Sequence, residues 1–215
     1  MRFKIKRNER SKHTDLVSCV GWSNSGELYS MSDDLTSLKW DINGEAESKF
    51  MDKLDISVVD MDWLPSGKGA NEVVALACSD GSFKLVSKAG RVEKSISEAH
   101  ASAIISIKWS YDGAALATAG EDGQIKLWSR SGMLRAAIVQ GGKPVYCIVW
   151  SPESDSILYC ADKNLTVVPT LPGNKQLQWK AHDGVVLGCD WNPGNNMIIS
   201  CGEDCKYRVW DSYGR

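Results

Sequence analysis

The chain has 215 residues, 43% of them apolar, and a formal net charge of −2. A chain of this length buries roughly 70% of the surface its unfolded form exposes, and its near balance of charge offers no global attraction for nucleic acid or anionic lipid. No run approaches the ~20 apolar residues of a membrane span, and charges stand where a signal peptide would have its apolar stretch, so the expectation is a cytosolic origin without membrane insertion.

In chain order, residues 1–12 begin MRFKIKRNER, with Phe3 and Ile5 alternating against Arg2, Lys4 and Lys6. Period-two alternation predicts an outer strand that closes a sheet edge, in preference to a basic arm for tubulin, lipid or nucleic acid. Residues 13–215 then carry an internal repeat. Asp34, Asp80, Asp122, Asp162 and Asp204 each stand six residues before Trp40, Val86, Trp128, Val168 or Trp210, at successive intervals of 46, 42, 40 and 42 residues. Trp22, Trp63, Trp109, Trp150 and Trp191 form a second ladder at intervals of 41, 46, 41 and 41. A period of about 40–45 residues ending in Trp-Asp predicts the four-stranded blade of a β-propeller.

Within each repeat the first strand ends at the ladder Trp, in LVSCVGW, SVVDMDW, AIISIKW, PVYCIVW and VVLGCDW. Each is rich in β-branched and apolar residues, as a buried strand requires. Turn chemistry follows, such as Asn24-Ser25-Gly26, Pro65-Ser66-Gly67 and Pro193-Gly194-Asn195, and a second strand runs to the repeat's Asp. A third strand alternates after it, through Phe83 and Leu85, Ile125 and Leu127, Leu165 and Val167, and Tyr207 and Val209. The first repeat has Ser37 and Lys39 there, which predicts a less buried or shifted strand. Segments 45–50, 91–96, 133–139 and 176–179 supply fourth, outer strands, and none follows Trp210.

Three repeats carry a fuller polar set: His13, Ser30, Asp34 and Trp40; His100, Thr118, Asp122 and Trp128; His182, Ser200, Asp204 and Trp210. Each His is nine residues before its ladder Trp, and each hydroxyl is four before its Asp. The residue types resemble a Ser-His-Asp triad, yet an active site needs one asymmetric constellation and these recur. They are read as fasteners in which Asp, His, hydroxyl and indole satisfy one another. In the second and fourth repeats Leu76 and Leu158 replace the hydroxyl, Val86 and Val168 replace the last Trp, and no His precedes the first strand. Polar and apolar members are exchanged together, which leaves no orphaned polar group.

The arrangement His…Trp…Ser/Thr…Asp…Trp, with GEDGQIKLW and GEDCKYRVWD as its best copies, resembles the WD-repeat propeller family over nearly the whole chain. The runs LVSCVGW, GRVEKS, AGEDGQIKLWS, GMLR, LQWKAHDG and GEDCKYRVWDSYGR further resemble the N-terminal propeller of the WD-repeat intraflagellar transport family of complex B. The resemblance implies an all-β propeller, with five blade equivalents visible here as part of a seven-blade ring. It also implies a non-enzymatic scaffold whose partners are other complex B subunits, located at the cilium or flagellum, the basal body and the cytoplasm. Another WD-repeat adaptor, such as a ubiquitin-ligase receptor or a vesicle-coat subunit, is the alternative.

The residue before each turn Asp is expected on one rim of the propeller: Asp33, Ser79, Glu121, Ala161 and Glu203. Carboxylates at three of these places would suit a basic surface of another subunit. Asp52, Asp55, Asp60 and Asp62 are expected to add surface charge near the second blade. No catalytic residue, cofactor, small-molecule site or metal site is expected. Of seven cysteines, Cys19, Cys78, Cys147, Cys160 and Cys189 lie in apolar runs as small hydrophobes, disulfides are not expected in a reducing compartment, and the CxxxC spacing of Cys201 and Cys205 lacks further zinc ligands. An enzyme reading would require an unrepeated polar cluster in the central channel.

Overall fold

A computed structural model describes residues 12–41, 43–65, 72–171 and 173–215. The strand expected at Arg2–Lys6 lies outside the described residues, as do Ser66 and Gly67 of one turn. Among the described residues the regular elements are nineteen strands in five antiparallel sheets, each sheet ordered as the chain runs. Blade one holds β1 (Val17–Trp22), β2 (Leu28–Ser32), β3 (Ser37–Trp40) and β4 (Ala46–Lys49). Blade two holds β5 (Val58–Trp63), β6 (Val73–Cys78), β7 (Phe83–Ser87) and β8 (Val92–Ile96). Blade three holds β9 (Ile104–Trp109), β10 (Ala115–Gly120), β11 (Gln124–Ser129) and β12 (Leu134–Gln140). Blade four holds β13 (Cys147–Trp150), β14 (Ser156–Ala161), β15 (Asn164–Pro169) and β16 (Leu177–Lys180), and blade five β17 (Val186–Trp191), β18 (Ile198–Gly202) and β19 (Tyr207–Trp210).

First strands of consecutive blades pack on one another, β1 on β5, β5 on β9, β9 on β13 and β13 on β17. They are therefore the inner strands, and the fourth strands lie outside, with most of β4, β8 and β16 exposed. The apolar core is divided into four clusters, each shared between consecutive blades. The ladder Trp of the later blade sits in each: Trp63, Trp109, Trp150 and Trp191 are 3 to 6% exposed. Trp63 covers Tyr29 and Met31 on the second strand of blade one, and the other three cover residues on the second and third strands of the preceding blade, such as Ala75 and Phe83, Ala117 and Ile125, or Leu158 and Leu165.

The two end faces differ. Trp22, at the same repeat position, is 66% exposed, with Val20 beside it at 62%. On blade five the face that earlier blades bury is open: Ile199 is 44% exposed, while its counterparts Tyr29, Ala75, Ala117 and Leu158 are at most 1% exposed.

The third strand of the first repeat is neither shifted nor exposed. β3 pairs with β2 in unbroken register, Ser37 opposite Met31 and Trp40 opposite Leu28. Ser37 is buried, and its hydroxyl accepts from the Met51 amide at 2.9 Å, so a hydrogen bond replaces the apolar contact made elsewhere. Lys39 reaches Glu27 and Glu47, each at 2.9 Å. In blade four the inner strand is shorter than the apolar run suggested: Val145 and Tyr146 precede β13, because the Val145 amide turns to Gly120 O at 3.2 Å.

The ladder position gives a direct comparison. Trp63→Ala should cost about 3–5 kcal/mol, the range for emptying a large aromatic site in a core. Trp22→Ala should stay within about 0.5 kcal/mol, as for an exposed substitution. Urea unfolding of both variants beside the parent chain checks the contrast.

Candidate functional site

The three polar sets form continuous hydrogen-bond chains, but not identical ones. In blade three Trp128 Nε1 donates to Thr118 Oγ1 at 2.8 Å, Thr118 Oγ1 lies 2.8 Å from His100 Nε2, and His100 Nδ1 lies 3.0 Å from Asp122. Blade five repeats this with Trp210, Ser200, His182 and Asp204 at 3.0, 2.8 and 2.8 Å. The carboxylate can only accept, so His Nδ1 carries the proton that faces it; in the neutral ring Nε2 then accepts from the hydroxyl, which in turn accepts from the indole. Burial pushes the His100 pKa below its ordinary value, against the pull of Asp122, which agrees with the neutral form.

In blade one Trp40 and Ser30 keep their places, at 2.8 Å from each other, and Ser30 lies 2.6 Å from His13 Nε2. Nδ1 of His13 instead meets Thr36 Oγ1 at 2.7 Å and is 3.5 Å from Asp34, and Thr36 Oγ1 donates to Asp34. A hydroxyl has been inserted into the chain. The local backbone gives the reason. Gly120 and Gly202 stand two residues before their Asp, where a Cβ would come within 2.9 and 3.0 Å of the His ring. Blade one has Ser32 there, fully buried, and its His and Asp stand further apart.

Blade two fastens by hydrocarbon, with Leu76 and Val86 fully buried. Blade four departs from the expected alignment: its tight turn pairs Ala161 with Asn164, so Tyr159, opposite Thr166, stands where the hydroxyl was expected, and Leu158 faces blade five instead. The turn aspartates of these two blades serve other partners: Asp80 accepts from Ser82, and Asp162 accepts from Lys143.

The residues before the turn aspartates lie along one rim. The amides of Asp33, Ser79, Glu121 and Glu203 donate to Leu16, Ser57, Ala103 and Val185, each just ahead of its blade's inner strand, at 2.9 to 3.0 Å. All four side chains are exposed. Ala161 departs from the pattern. It is the last residue of β14, paired with Asn164 across a two-residue turn whose Asp162 adopts φ 53°, and it is half-buried. Among the described residues no ion pair neutralises Asp33, Glu121 or Glu203. Glu203 accepts from the Val185 amide at 3.2 Å.

Two of the four aspartates expected at the surface near blade two belong to the inner strand instead. Asp52 and Asp55 are exposed, Asp55 pairing with Lys84 at 2.5 Å. Asp60 and Asp62 are half-buried and reach across to blade three. Asp60 Oδ2 accepts from the Ile107 amide at 2.9 Å and from Lys108 Nζ at 2.8 Å, and Asp62 Oδ2 accepts from the Trp109 amide at 2.6 Å. Burial lifts the Asp62 carboxyl to about 6, against the attraction of Lys108. This polar cluster, which sequence reasoning missed, ties the inner strands of blades two and three, its carboxylates taken up by the amides of β9 and by Lys108. The ladder held the signal, since Asp60 and Asp62 stand three and one residues before Trp63, inside a strand read as buried. Asp62, Lys108, Tyr111, Cys147, Cys189 and Asp190 line a cavity of about 220 Å³ beside it. Among the described residues no group of three or more His, Cys, Asp or Glu is arranged to hold a metal ion.

Removing the carboxylate from a fastener tests its weight. Asp122→Ala should destabilise the chain by about 1–3 kcal/mol at neutral pH, the cost of orphaned buried partners. Burial raises the Asp122 pKa, but the His100 bond and the Gln124 and Ala101 amides outweigh it, so the net shift is downward. A carboxylate depressed in the folded state stabilises above its unfolded value near 4 and loses that contribution as pH falls through the folded value. The gap between parent and variant in urea unfolding should therefore be widest at neutral pH and narrow below about pH 4.

A model of the WD domain, G-beta repeat, matches residues 91–129 and 173–211. The chain is 50% identical over 222 aligned residues to the intraflagellar transport protein 80 homologs of Mus musculus and Rattus norvegicus, an alignment covering 100% of this chain and 28% of each relative. It is 28% identical over 107 residues to the F-box-like/WD repeat-containing protein TBL1X of Mus musculus, covering 49% of this chain and 20% of that protein. The chain thus spans 28% of the length of the two relatives that it matches from end to end. Five successive β-blades, Asp-His-hydroxyl-indole fasteners in three of them and these sequence matches together show that the chain belongs to the WD-repeat β-propeller family.

Proposed function

We propose that this chain is propeller material of a non-catalytic scaffold subunit of intraflagellar transport complex B, serving ciliary transport and cilium assembly by holding other subunits of the complex. The observation that carries this reading is the 50% identity, across the whole chain, to intraflagellar transport protein 80 homologs. The repetition of the Ser-His-Asp look-alike in three blades, each with its hydroxyl tied up between indole and imidazole, supports a scaffold over a hydrolase. On this reading the protein resides at the cilium and basal body and in the cytoplasm from which ciliary components are drawn. The open faces at Trp22 and at Ile199 are seats for further blades of the same repeat type, which relatives of greater length have room to supply.

The binding surface in this proposal is the turn rim, with Asp33, Glu121 and Glu203 facing a basic helix or loop of another subunit. Exposed, unpaired carboxylates at a repeated spacing are what steering and partner selection require, since rim charges act mainly on association rate. The test is simultaneous reversal, Asp33→Lys, Glu121→Lys and Glu203→Lys, with complex B subunits presented to the immobilised chain over a salt series. Association at low salt should slow by about tenfold or more, while unfolding free energy moves by no more than about 0.5 kcal/mol per site. Undiminished capture of the subunits at every salt concentration would remove the rim from the proposal, and failure of the parent chain to capture any subunit would remove complex B.

A further inference from the structure

Three thiols meet where blades four and five join. Cys147 is on β13, Cys160 stands directly opposite it on β14, and Cys189 comes from β17 of the next blade. Cys147 Sγ lies 3.3 Å from the Cys189 carbonyl oxygen, to which it donates, and both residues pack against the apolar cluster that holds Cys160. All three are reduced and belong to the core cluster shared by these two blades. They differ in access. Cys147 and Cys189 are half-buried and line the 220 Å³ cavity with Lys108, whereas Cys160 is fully buried and absent from the lining.

We infer that Cys147 and Cys189 form an oxidisable dithiol whose substrate is a small hydroperoxide entering by the central cavity, and whose product is a disulfide between the inner strands of blades four and five. The Cys147 thiolate attacks the distal oxygen of the hydroperoxide. The O–O bond breaks, the sulfur becomes a sulfenic acid, and the departing alkoxide takes up a proton to leave as alcohol, or as water from hydrogen peroxide. The Cys189 sulfur then attacks the sulfenic sulfur, the S–S bond forms, and hydroxide leaves as water with the proton that Cys189 gives up. Two thiols are oxidised and one hydroperoxide is reduced.

The surroundings divide the roles. The groups of Cys189 beside it, side chain first and backbone after, and then the positive charge of Lys108 hold the Cys147 pKa below the ordinary thiol value, against burial and the opposing charge of Asp60. The same contacts push Cys189 well above that value, with the side chains of Cys147 and Cys160 the leading causes, so it remains a thiol until a sulfenic acid forms beside it. Attack therefore begins at the residue that faces both Lys108 and the cavity. In a reducing compartment such a bond is transient, which is the form that protein disulfides there usually take.

The experiment uses the parent chain and limiting hydrogen peroxide. Remaining thiols are alkylated, and the protein is cut with chymotrypsin, which cleaves after Trp150 and Trp191 and so separates Cys147 from Cys160 and Cys189 from Cys201. The expected product is a Cys147–Cys189 cross-linked peptide, reversible by dithiothreitol and formed at least about threefold faster than oxidation of the exposed Cys201 and Cys205. Cys189→Ser should abolish the cross-link and leave a Cys147 sulfenic acid that a 1,3-dione probe traps. Cys201→Ser with Cys205→Ser should leave the cross-link unchanged. The inference is overturned if Cys147 and Cys189 of the parent chain stay fully alkylatable while Cys201 and Cys205 oxidise, or if the bond forms between Cys147 and Cys160 instead.

Discussion

A blade of this protein cannot be stable by itself, because each of its two faces is apolar and only the neighbouring blades cover them. The ladder Trp is the residue through which this dependence acts. Each of Trp63, Trp109, Trp150 and Trp191 hangs from the inner strand of one blade and fills space over the buried apolar face of the blade before it. Burial of an aromatic of this size removes on the order of 150–250 Å² from water, so four such contacts dominate the apolar energy of the stack. The spacing of the repeats follows: a blade of about 40 residues returns the chain to the centre in time to place the next indole.

Within a blade the constraint changes from covering faces to fixing edges. Three blades tie the third strand to the second, and the second to the approach of the first, through indole, hydroxyl, imidazole and carboxylate. Blade two uses Leu and Val in the same volume, and blade four sets Tyr159 where the hydroxyl would stand. A buried polar chain is stable only when every member is matched, so the polar set is replaced as a whole. Blade one shows how far the polar solution bends. With Ser32 where the other polar blades have Gly, the carboxylate and imidazole separate, and Thr36 carries the contact between them.

Much of this architecture was legible because it repeats. Five aligned aspartates and five aligned tryptophans place the outer strands within about a residue or two of where they lie. Features occurring once were harder to read. Asp60 and Asp62 look like surface acids by composition, and only their distance from Trp63 puts them in the inner strand, where the backbone amides of β9 and Lys108 hold them. Thr36 has no counterpart in the other fasteners. Cys147, Cys160 and Cys189 are separated by 13 and 29 residues, and no periodicity announces that a cross-strand partner and an adjacent blade bring them together. A hydroxyl and a lysine at Ser37 and Lys39 point to exposure, yet a single amide bond suffices to bury the serine.

The open face at Trp22 has a spectroscopic consequence. Trp63, Trp109, Trp128, Trp150 and Trp191 are buried, Trp40, Trp179 and Trp210 are half-buried, and Trp22 alone of the nine indoles is exposed. Its emission is therefore the red-edge component of the chain's intrinsic fluorescence and the one most open to collisional quenchers such as iodide. Anything that covers blade one shields that component and leaves the buried indoles emitting as before, so the molecule carries a reporter of its own stacking without an added dye.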